Sequence, residues 1–232
     1  MPALDWLTAR PIAHRGLHDA SAGVIENTAG AFAAAIAGGY GIECDLQISA
    51  DSEAMVHHDD ALGRLTEGSG RLAALSASEI KAVRFKSSAE RILTLGELCE
   101  QVASRVALVL ELKSHFDGDL RLVSRAVQVL AGYGGPVALM SFDPGLLAAL
   151  RKLAPGLPCG IVAEGRFAIH PKAWRTQPRF IAYSVKDLPA PVPLIARGLF
   201  GLPLLTWTVR NEPDRRRALR WADQIIFEGF RP

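Results

Sequence analysis

The sequence has few cysteines and lacks any long apolar run. Its three cysteines, Cys44, Cys99 and Cys159, are widely spaced and form no CxxC pair, which argues against a disulfide framework or a thiolate zinc site. No stretch approaches the roughly 20 apolar residues that a bilayer-spanning helix needs, so stable membrane insertion is not expected. The first residues lack a basic segment followed by an apolar core, so we expect no secretory signal and a cytoplasmic location.

An excess of one sign of charge is also missing. Lysine and arginine total 26 against 24 acidic residues, for a net charge of +2, so we predict no nucleic-acid partner. The one dense basic run, Arg215-Arg216-Arg217 with Arg220, is interpreted as a solvated helix face. No GxGxxG follows the first predicted strand, so an open doubly wound sheet of the dinucleotide-binding type lacks its signature.

Strand and helix patterns alternate along the chain. Helical patterns fall at 28–37, 78–83, 95–104, 120–130, 144–153, 192–198 and 213–221. Strand patterns fall at 12–14, 41–46, 54–57, 106–112, 137–140, 159–162, 180–185, 204–209 and 224–227. This alternation is typical of a parallel sheet flanked by helices. Its count favours a (β/α)8 TIM barrel, with an open sheet as the alternative.

The chain is expected to form one domain over residues 1–232, since this length can bury a large single core. Residues 61–91, after the third predicted strand, are polar and irregular. We interpret them as a small insertion or lid.

Three carboxylates stand at predicted strand ends. Glu43 and Asp45 share one face of a strand because side chains alternate, and Glu111 ends a buried run. Like charges that lie close together repel, and a hard divalent cation, which prefers oxygen ligands, would relieve that cost. The residues alone leave a second interpretation open, in which Glu111 pairs with Lys113 and the other two face solvent.

Two histidines also close apolar runs. A lone strand-end histidine is more often structural, but His14 and His58 accompany an acidic cluster. Imidazole can take or give a proton near neutral pH. With the neighbouring cation of Arg15, this combination indicates chemistry on a phosphate.

The ordered set of motifs resembles the glycerophosphodiester phosphodiesterase family. It comprises His14-Arg15-Gly16, Glu26-Asn27-Thr28, Glu43-x-Asp45, His58-Asp59, Glu111-Leu112-Lys113 and Trp207-Thr208-Val209. The resemblance implies a TIM barrel that hydrolyses glycerophosphodiesters to an alcohol and glycerol 3-phosphate. It further implies one divalent cation, Mg²⁺ or Ca²⁺, held by Glu43, Asp45 and Glu111, and an acid/base pair formed by His14 and His58.

The resemblance also suggests supporting roles. It makes Arg15 and Lys113 the clamps on the phosphate, and it places Glu26 within reach of the site. Trp207 is either a pocket wall or a core residue. Asp59 is a candidate to orient His58.

Several assignments near these motifs depend on local structure. A one-residue slip would exchange His57 for His58, and we choose His58 because the motif is His-Asp. Asn27 is expected to cap the following helix. No role is assigned to His18, His115 or His170.

The end of the chain departs from the resembled family. Many members have a Thr-Asp pair where Phe227 and Glu228 stand, which puts contacts to substrate hydroxyls in question. The alternatives are therefore a lysophospholipase D-like or sphingomyelinase D-like enzyme on lipid substrates and a non-catalytic phosphodiester-binding barrel. The only partner expected is a small glycerophosphodiester. We assign no oligomeric state from the sequence.

Overall fold

A closed barrel of eight parallel strands organises the computed structural model, which describes residues 4–165 and 171–232. The strands of the barrel are β1 (Ile12–His14), β2 (Gly41–Ile48), β4 (Leu108–Leu112), β5 (Val137–Ser141), β6 (Cys159–Ala163), β7 (Phe180–Ser184), β8 (Leu204–Val209) and β9 (Gln224–Phe227), and a short strand β3 (Ala54–Val56) lies outside it. Neighbouring barrel strands pair in chain order, and β9 pairs with β1 to close the ring. The predicted TIM barrel is confirmed.

Helices precede and connect the strands, as the alternation predicts. They are α1 (Asp5–Thr8), α2 (Ala29–Ala37), α3 (Ala77–Ala82), α4 (Leu95–Val102), α5 (Arg121–Leu130), α6 (Pro144–Leu153), α7 (Pro171–Trp174), α8 (Pro191–Phe200) and α9 (Glu212–Trp221). Single 3₁₀ turns lie at Ala20–Ala22, Leu72–Ala74 and Val185–Asp187. Of the helices in the described ranges, none combines the length and the apolar character that a membrane crossing requires.

The third predicted strand lies outside the barrel ring. Strand β3 (Ala54–Val56) pairs antiparallel with the far end of β2, with Leu46 opposite Val56. The connection from β2 is too short for a parallel crossover, which needs a dozen or more residues. His57 follows this strand and donates its backbone N–H to the Asp45 carbonyl at 3.0 Å.

The insertion after β3 has its own apolar cluster. Helix α3 begins with a reciprocal capping box between Ser76 and Glu79. The buried side chains of the cluster are Ile25, Met55, Leu72, Ile80, Phe85 and Ile92. Because Ile25 precedes α2 and Met55 belongs to β3, the insertion packs directly against the barrel's loops.

The barrel interior is filled towards its N-terminal end. Leu4 and Leu7 from the α1 segment join one buried cluster with inward-facing strand residues, among them Ile12, Phe180 and Leu205. Apolar side chains therefore fill this end. The polar residues gather at the opposite, C-terminal mouth, where enzymes of this fold place their active sites.

The turn after β1 is tightly constrained. Arg15 and Gly16 both have a positive φ, 56° and 79°, and the Gly16 N–H lies 3.2 Å from the Glu43 carbonyl. A Cβ at Gly16 would lie 2.9 Å from the backbone carbon of Ala31. This close approach to α2 fixes the point at which Arg15 leaves the barrel.

Gly16→Ala should therefore destabilise the fold more than Gly23→Ala. Both glycines have a positive φ, but a Cβ at Gly23 meets nothing within 4 Å. We expect the free energy of unfolding to fall by roughly 3 kcal/mol for Gly16→Ala and about 1 kcal/mol for Gly23→Ala, from backbone strain plus overpacking in the first case and strain alone in the second. Urea unfolding of both variants measures the difference, and equal losses would contradict the close approach.

Candidate active site

Three carboxylates meet at the mouth of the barrel. Glu43 and Asp45 lie on β2, and the parallel register sets Asp45 beside Glu111 of β4. One oxygen from each of the three lies within 4.8 Å of the others, and all three residues are buried. The interpretation in which Glu43 and Asp45 face solvent is therefore wrong.

Two cations neutralise part of this cluster. The Lys113 Nζ lies 2.8 Å from Asp45 Oδ1 and 2.6 Å from Glu111 Oε1. The Arg15 Nε lies 3.3 Å from Asp45 Oδ2, and its backbone N–H donates to Glu43 Oε2 at 3.0 Å. Lys113 thus pairs with Glu111, as the simpler interpretation of the sequence required, and Asp45 joins the same pair.

The positive charges of Lys113 and Arg15 offset the burial of the three carboxyls to different extents. Burial, followed by the charge of Asp45, raises the pKa of Glu43 well above its ordinary value. Burial also raises the pKa of Glu111. For Asp45 the effect of burial is outweighed by Lys113 and Arg15, so its pKa is lowered. A further positive charge at the cluster would stabilise the ionised forms of Glu43 and Glu111.

The structure corrects the role predicted for Asn27. Its side chain caps no helix; it donates from Nδ2 to Asp45 Oδ2 at 2.9 Å, and Thr28 occupies the N-cap position of α2. The backbone of Asn27 has a φ of 57°, in the left-handed region that asparagine tolerates better than most residues. Asn27 is buried and holds one oxygen of Asp45 in place.

His14 is held by the residue that departs from the resembled family. Its Nδ1 lies 2.5 Å from Glu228 Oε2, and its Nε2 lies 3.9 Å from Glu43 Oε2. Arg210 and His18 also contact the Glu228 carboxylate, at 2.5 and 3.6 Å. Burial is the main cause of the lowered pKa of His14.

The structure places both Phe227 and Glu228, the two residues that differ from the pattern of the resembled family. The pKa of Glu228 is lowered: burial acts to raise it, but hydrogen bonds with His14 and His18 outweigh that effect. Phe227 is fully buried and stacks edge-on with Tyr40. His18, which sequence reasoning left without a role, thus belongs to the surroundings of His14.

His58 is held from the other side of the site. Its Nδ1 lies 2.8 Å from Asp59 Oδ1, as the predicted orienting role requires, and its backbone carbonyl accepts from Gln47 Nε2 at 2.9 Å. His57 is buried instead, with its Nδ1 3.0 Å from the Asp59 carbonyl. The ring that borders the cavity is therefore that of His58.

Arg64, a residue of the insertion, connects the carboxylate beside His58 to the carboxylate beside Arg15. Its Nε lies 2.6 Å from Asp59 Oδ2, and its Nη2 lies 2.6 Å from Glu26 Oε1. The same oxygen of Glu26 accepts from Arg15 Nη1 at 2.8 Å. Sequence reasoning missed Arg64 because a single basic residue in an irregular segment carries no distinguishing pattern.

These groups surround a central cavity of about 320 Å³. Trp207 forms part of its wall, packs edge-on against Phe142 at 5.8 Å and donates from Nε1 to the Ala182 carbonyl. The predicted residues that line the cavity are His14, Arg15, Glu43, Asp45, His58, Glu111, Lys113 and Trp207. Lining residues that the sequence did not single out include Phe142, Glu164, Ser184, Lys186 and Arg210.

Other predicted residues stand outside that lining. Glu26, Asn27 and Asp59 each contact a residue of the lining, namely Arg15, Asp45 and His58 respectively. His115 is exposed in the loop after β4, and His170 lies outside the described residues.

Comparison with known proteins identifies the chain's relatives. The model of the glycerophosphoryl diester phosphodiesterase family matches residues 14–229. A glycerophosphodiester phosphodiesterase of Caldanaerobacter subterraneus subsp. tengcongensis is 30% identical over 227 residues, covering 90% of this chain and 89% of that protein. The resemblance in the motifs is thereby confirmed.

Solved structures share the fold. An Oleispira antarctica phosphodiesterase in complex with the product sn-glycerol-3-phosphate superposes with a TM-score of 0.81 at 23% identity, over 96% of this chain and 94% of that one. A Thermotoga maritima glycerophosphodiester phosphodiesterase gives 0.72 at 24% identity, over 93% and 92%. The family match and the Caldanaerobacter relative show that the chain is a phosphoric diester hydrolase belonging to the glycerophosphoryl diester phosphodiesterase family.

Proposed function

We propose that the central cavity hydrolyses glycerophosphodiesters to an alcohol and glycerol 3-phosphate with the help of one divalent cation. The observation that carries the proposal is the joint placement of three carboxylates, two cations and two carboxylate-held histidines around one cavity. The name of the Caldanaerobacter relative and the product bound to the Oleispira enzyme support the substrate class.

The acidic cluster fits a hard cation. Glu43, Asp45 and Glu111 offer only oxygen donors, which Mg²⁺ and Ca²⁺ prefer. Burial raises the pKa values of Glu43 and Glu111, and a bound cation would favour their ionised forms. When bound, such a cation supplies Lewis-acid polarisation of a phosphoryl oxygen. Arg15 and Lys113 supply positive charge for the phosphodiester.

The histidines perform the proton transfers. Glu228 and Asp59 engage the Nδ1 atoms of His14 and His58, which leaves each Nε2 for exchange with substrate. One ring takes a proton from the nucleophile, and the other gives a proton to the departing alkoxide. Attack by water yields glycerol 3-phosphate directly. Attack by the glycerol 2-hydroxyl first yields a cyclic phosphate, and water, deprotonated by one of the rings, then opens the cycle to glycerol 3-phosphate while the 2-hydroxyl regains a proton. The two rings come from different segments of the chain and both line the central cavity.

The size of the cavity supports a small substrate. Its volume of about 320 Å³ is at the lower end for ligand pockets, and 12 of its 17 lining residues are polar or charged. The apolar lining consists of Met140, Phe142, Val162, Trp207 and Ile226, and a long acyl chain would need a larger apolar surface than these five residues provide. These features favour a glycerophosphodiester over a lysophospholipid.

The first test is a metal add-back assay. Protein stripped with a chelator should release no glycerol 3-phosphate from glycerophosphocholine, and Mg²⁺, Mn²⁺ or Ca²⁺ should restore release. Cation at 100 times its dissociation constant should stabilise the wild type by about 2.7 kcal/mol, and thermal unfolding should show no such stabilisation in Asp45→Asn. Full activity in chelator would refute the metal role; folded protein that turns over only lysophosphatidylcholine would favour the lipid alternative.

Substitution of either cavity histidine should remove turnover. We expect kcat to fall by roughly 10²- to 10⁴-fold in His14→Ala and in His58→Ala, because a positioned acid or base contributes that much. Inhibition by glycerol 3-phosphate and the midpoint of thermal unfolding should stay close to wild type.

The neighbouring buried histidine provides the control. His57→Asn should lower the unfolding midpoint but keep kcat within about tenfold, since its ring contacts the Asp59 carbonyl and does not line the cavity. Wild-type kcat in the His14 or His58 variant would rule out the role assigned to that residue.

Arg64→Ala should reduce kcat by roughly tenfold, since it removes charge-assisted hydrogen bonds from a partly exposed guanidinium. Arg64→Lys should recover little of this loss because an ammonium cannot span Glu26 and Asp59 as a planar fork does. Arg84→Ala is the matched control, as Arg84 lies on the same insertion, is exposed and does not line the central cavity.

A double-mutant cycle separates positioning from general stability. In the His58→Ala background, Arg64→Ala should cost clearly less than in the wild type, because the contact through Asp59 no longer serves a catalytic ring. An equal loss in both backgrounds would show that Arg64 acts independently of His58.

A further inference from the structure

A second hollow adjoins the central cavity. This groove, of about 580 Å³, lies between the insertion and the loop after β4, and it is more open to solvent than the central cavity. His58 and Lys113 line both hollows. The two spaces therefore meet at one of the proposed acid/base residues and one of the phosphate clamps.

A phosphodiester has the shape that such a junction requires. It carries two ester arms on one charged phosphorus centre, and displacement places the attacking and leaving oxygens roughly in line. If Lys113 and His58 mark the position of the phosphate, the two arms extend into different hollows. We propose that the groove binds the alcohol that leaves, while the glycerol arm occupies the central cavity; this rests on the function proposed above.

The central cavity encloses a ligand more fully than the groove does, and this difference indicates which arm of the substrate lies in each. The central cavity reaches down to Met140, Val162 and Ile226 inside the barrel, so a ligand there is surrounded on several sides. Enclosure suits the constant part of the substrate, which remains on the clamps as glycerol 3-phosphate. An open groove suits the variable part, because alcohols of different size can extend into solvent and depart without rearrangement of the barrel.

The lining of the groove indicates a small polar alcohol. Apart from Ala61 and Leu62, its side chains are polar or charged. Gln47 and Ser114 already bond within the protein, to the His58 carbonyl and to Asp143. Asp60 is half exposed, with Arg71 no closer than 3.6 Å, and His115 is exposed. Asp60 and His115 can thus accept hydrogen bonds from the hydroxyls or ammonium of a polyol or amino alcohol.

Two tryptophan substitutions test the proposal, because each should obstruct the groove from one of its two walls. Ala61→Trp fills it from the insertion and His115→Trp from the loop after β4. The probes are esters of glycerol 3-phosphate with methanol, ethanolamine, glycerol and inositol. In both variants kcat/KM should fall with the size of the alcohol, by about twofold for the methyl ester and tenfold or more for the inositol ester. The inhibition constant of glycerol 3-phosphate should change by less than twofold.

The control variant is Ala89→Trp, which adds the same ring at an exposed site of the insertion that does not line the groove. It should leave the size dependence at the wild-type value. A uniform loss across the ester series, or weaker inhibition by glycerol 3-phosphate in the obstructed variants, would overturn the assignment of the arms. Absence of wild-type turnover on all four esters would instead refute the proposed function. Circular dichroism confirms that each variant is folded.

Discussion

The buried carboxylate of Asp45 is the constraint on which the rest of the site depends. A buried charge is tolerated only when it is paired and hydrogen-bonded. Lys113 and Arg15 form ion pairs with the Asp45 carboxylate, and the Asn27 amide donates a hydrogen bond to it. Arg15 and Asn27 both adopt the left-handed backbone region to reach it. Such backbone costs of order 1–3 kcal/mol persist where the surrounding structure imposes them. The conformation of the loop after β1 is therefore set by the contacts that it makes with the two carboxylate oxygens of Asp45 on β2.

The same charge network extends outward in two directions. Glu26 links Arg15 to Arg64, and Arg64 links onward to Asp59 and His58. The insertion thus contacts the charge network around the site through the Arg64 guanidinium. On the opposite side, Glu228 holds His14 while it contacts Arg210. Each proposed acid/base ring is in this way fixed by a carboxylate that is itself held by an arginine.

Some parts of this arrangement follow from local rules of sequence. Glu43 and Asp45 share a face because strand side chains alternate, and Glu111 joins them because parallel register aligns it with Asp45. The barrel follows from repeated alternation of strand and helix. The antiparallel β3 breaks that alternation, and only the shortness of its connection to β2 signals it.

The remaining contacts depend on the folded shape. Asn27 meets Asp45 across 18 residues, Arg64 meets Glu26 across 38, and His14 meets Glu228 across 214. No periodicity or cap signal encodes such pairs, and for Asn27 the local helix-cap rule pointed to the wrong partner. Glu228 stands where the motif resemblance leads us to expect an aspartate, and its contact with His14 depends on closure of the barrel.

Diffraction from crystals grown with Mn²⁺ and glycerol 3-phosphate, with data collected at the manganese absorption edge, would locate the cation directly. We expect an anomalous peak about 2.0–2.6 Å from oxygens of Glu43, Asp45 and Glu111, the range of hard-cation ligand distances. We also expect the phosphate of the product within reach of Arg15 and Lys113. A fully ordered product without a peak at the three carboxylates would show that they do not hold a cation for phosphodiester hydrolysis.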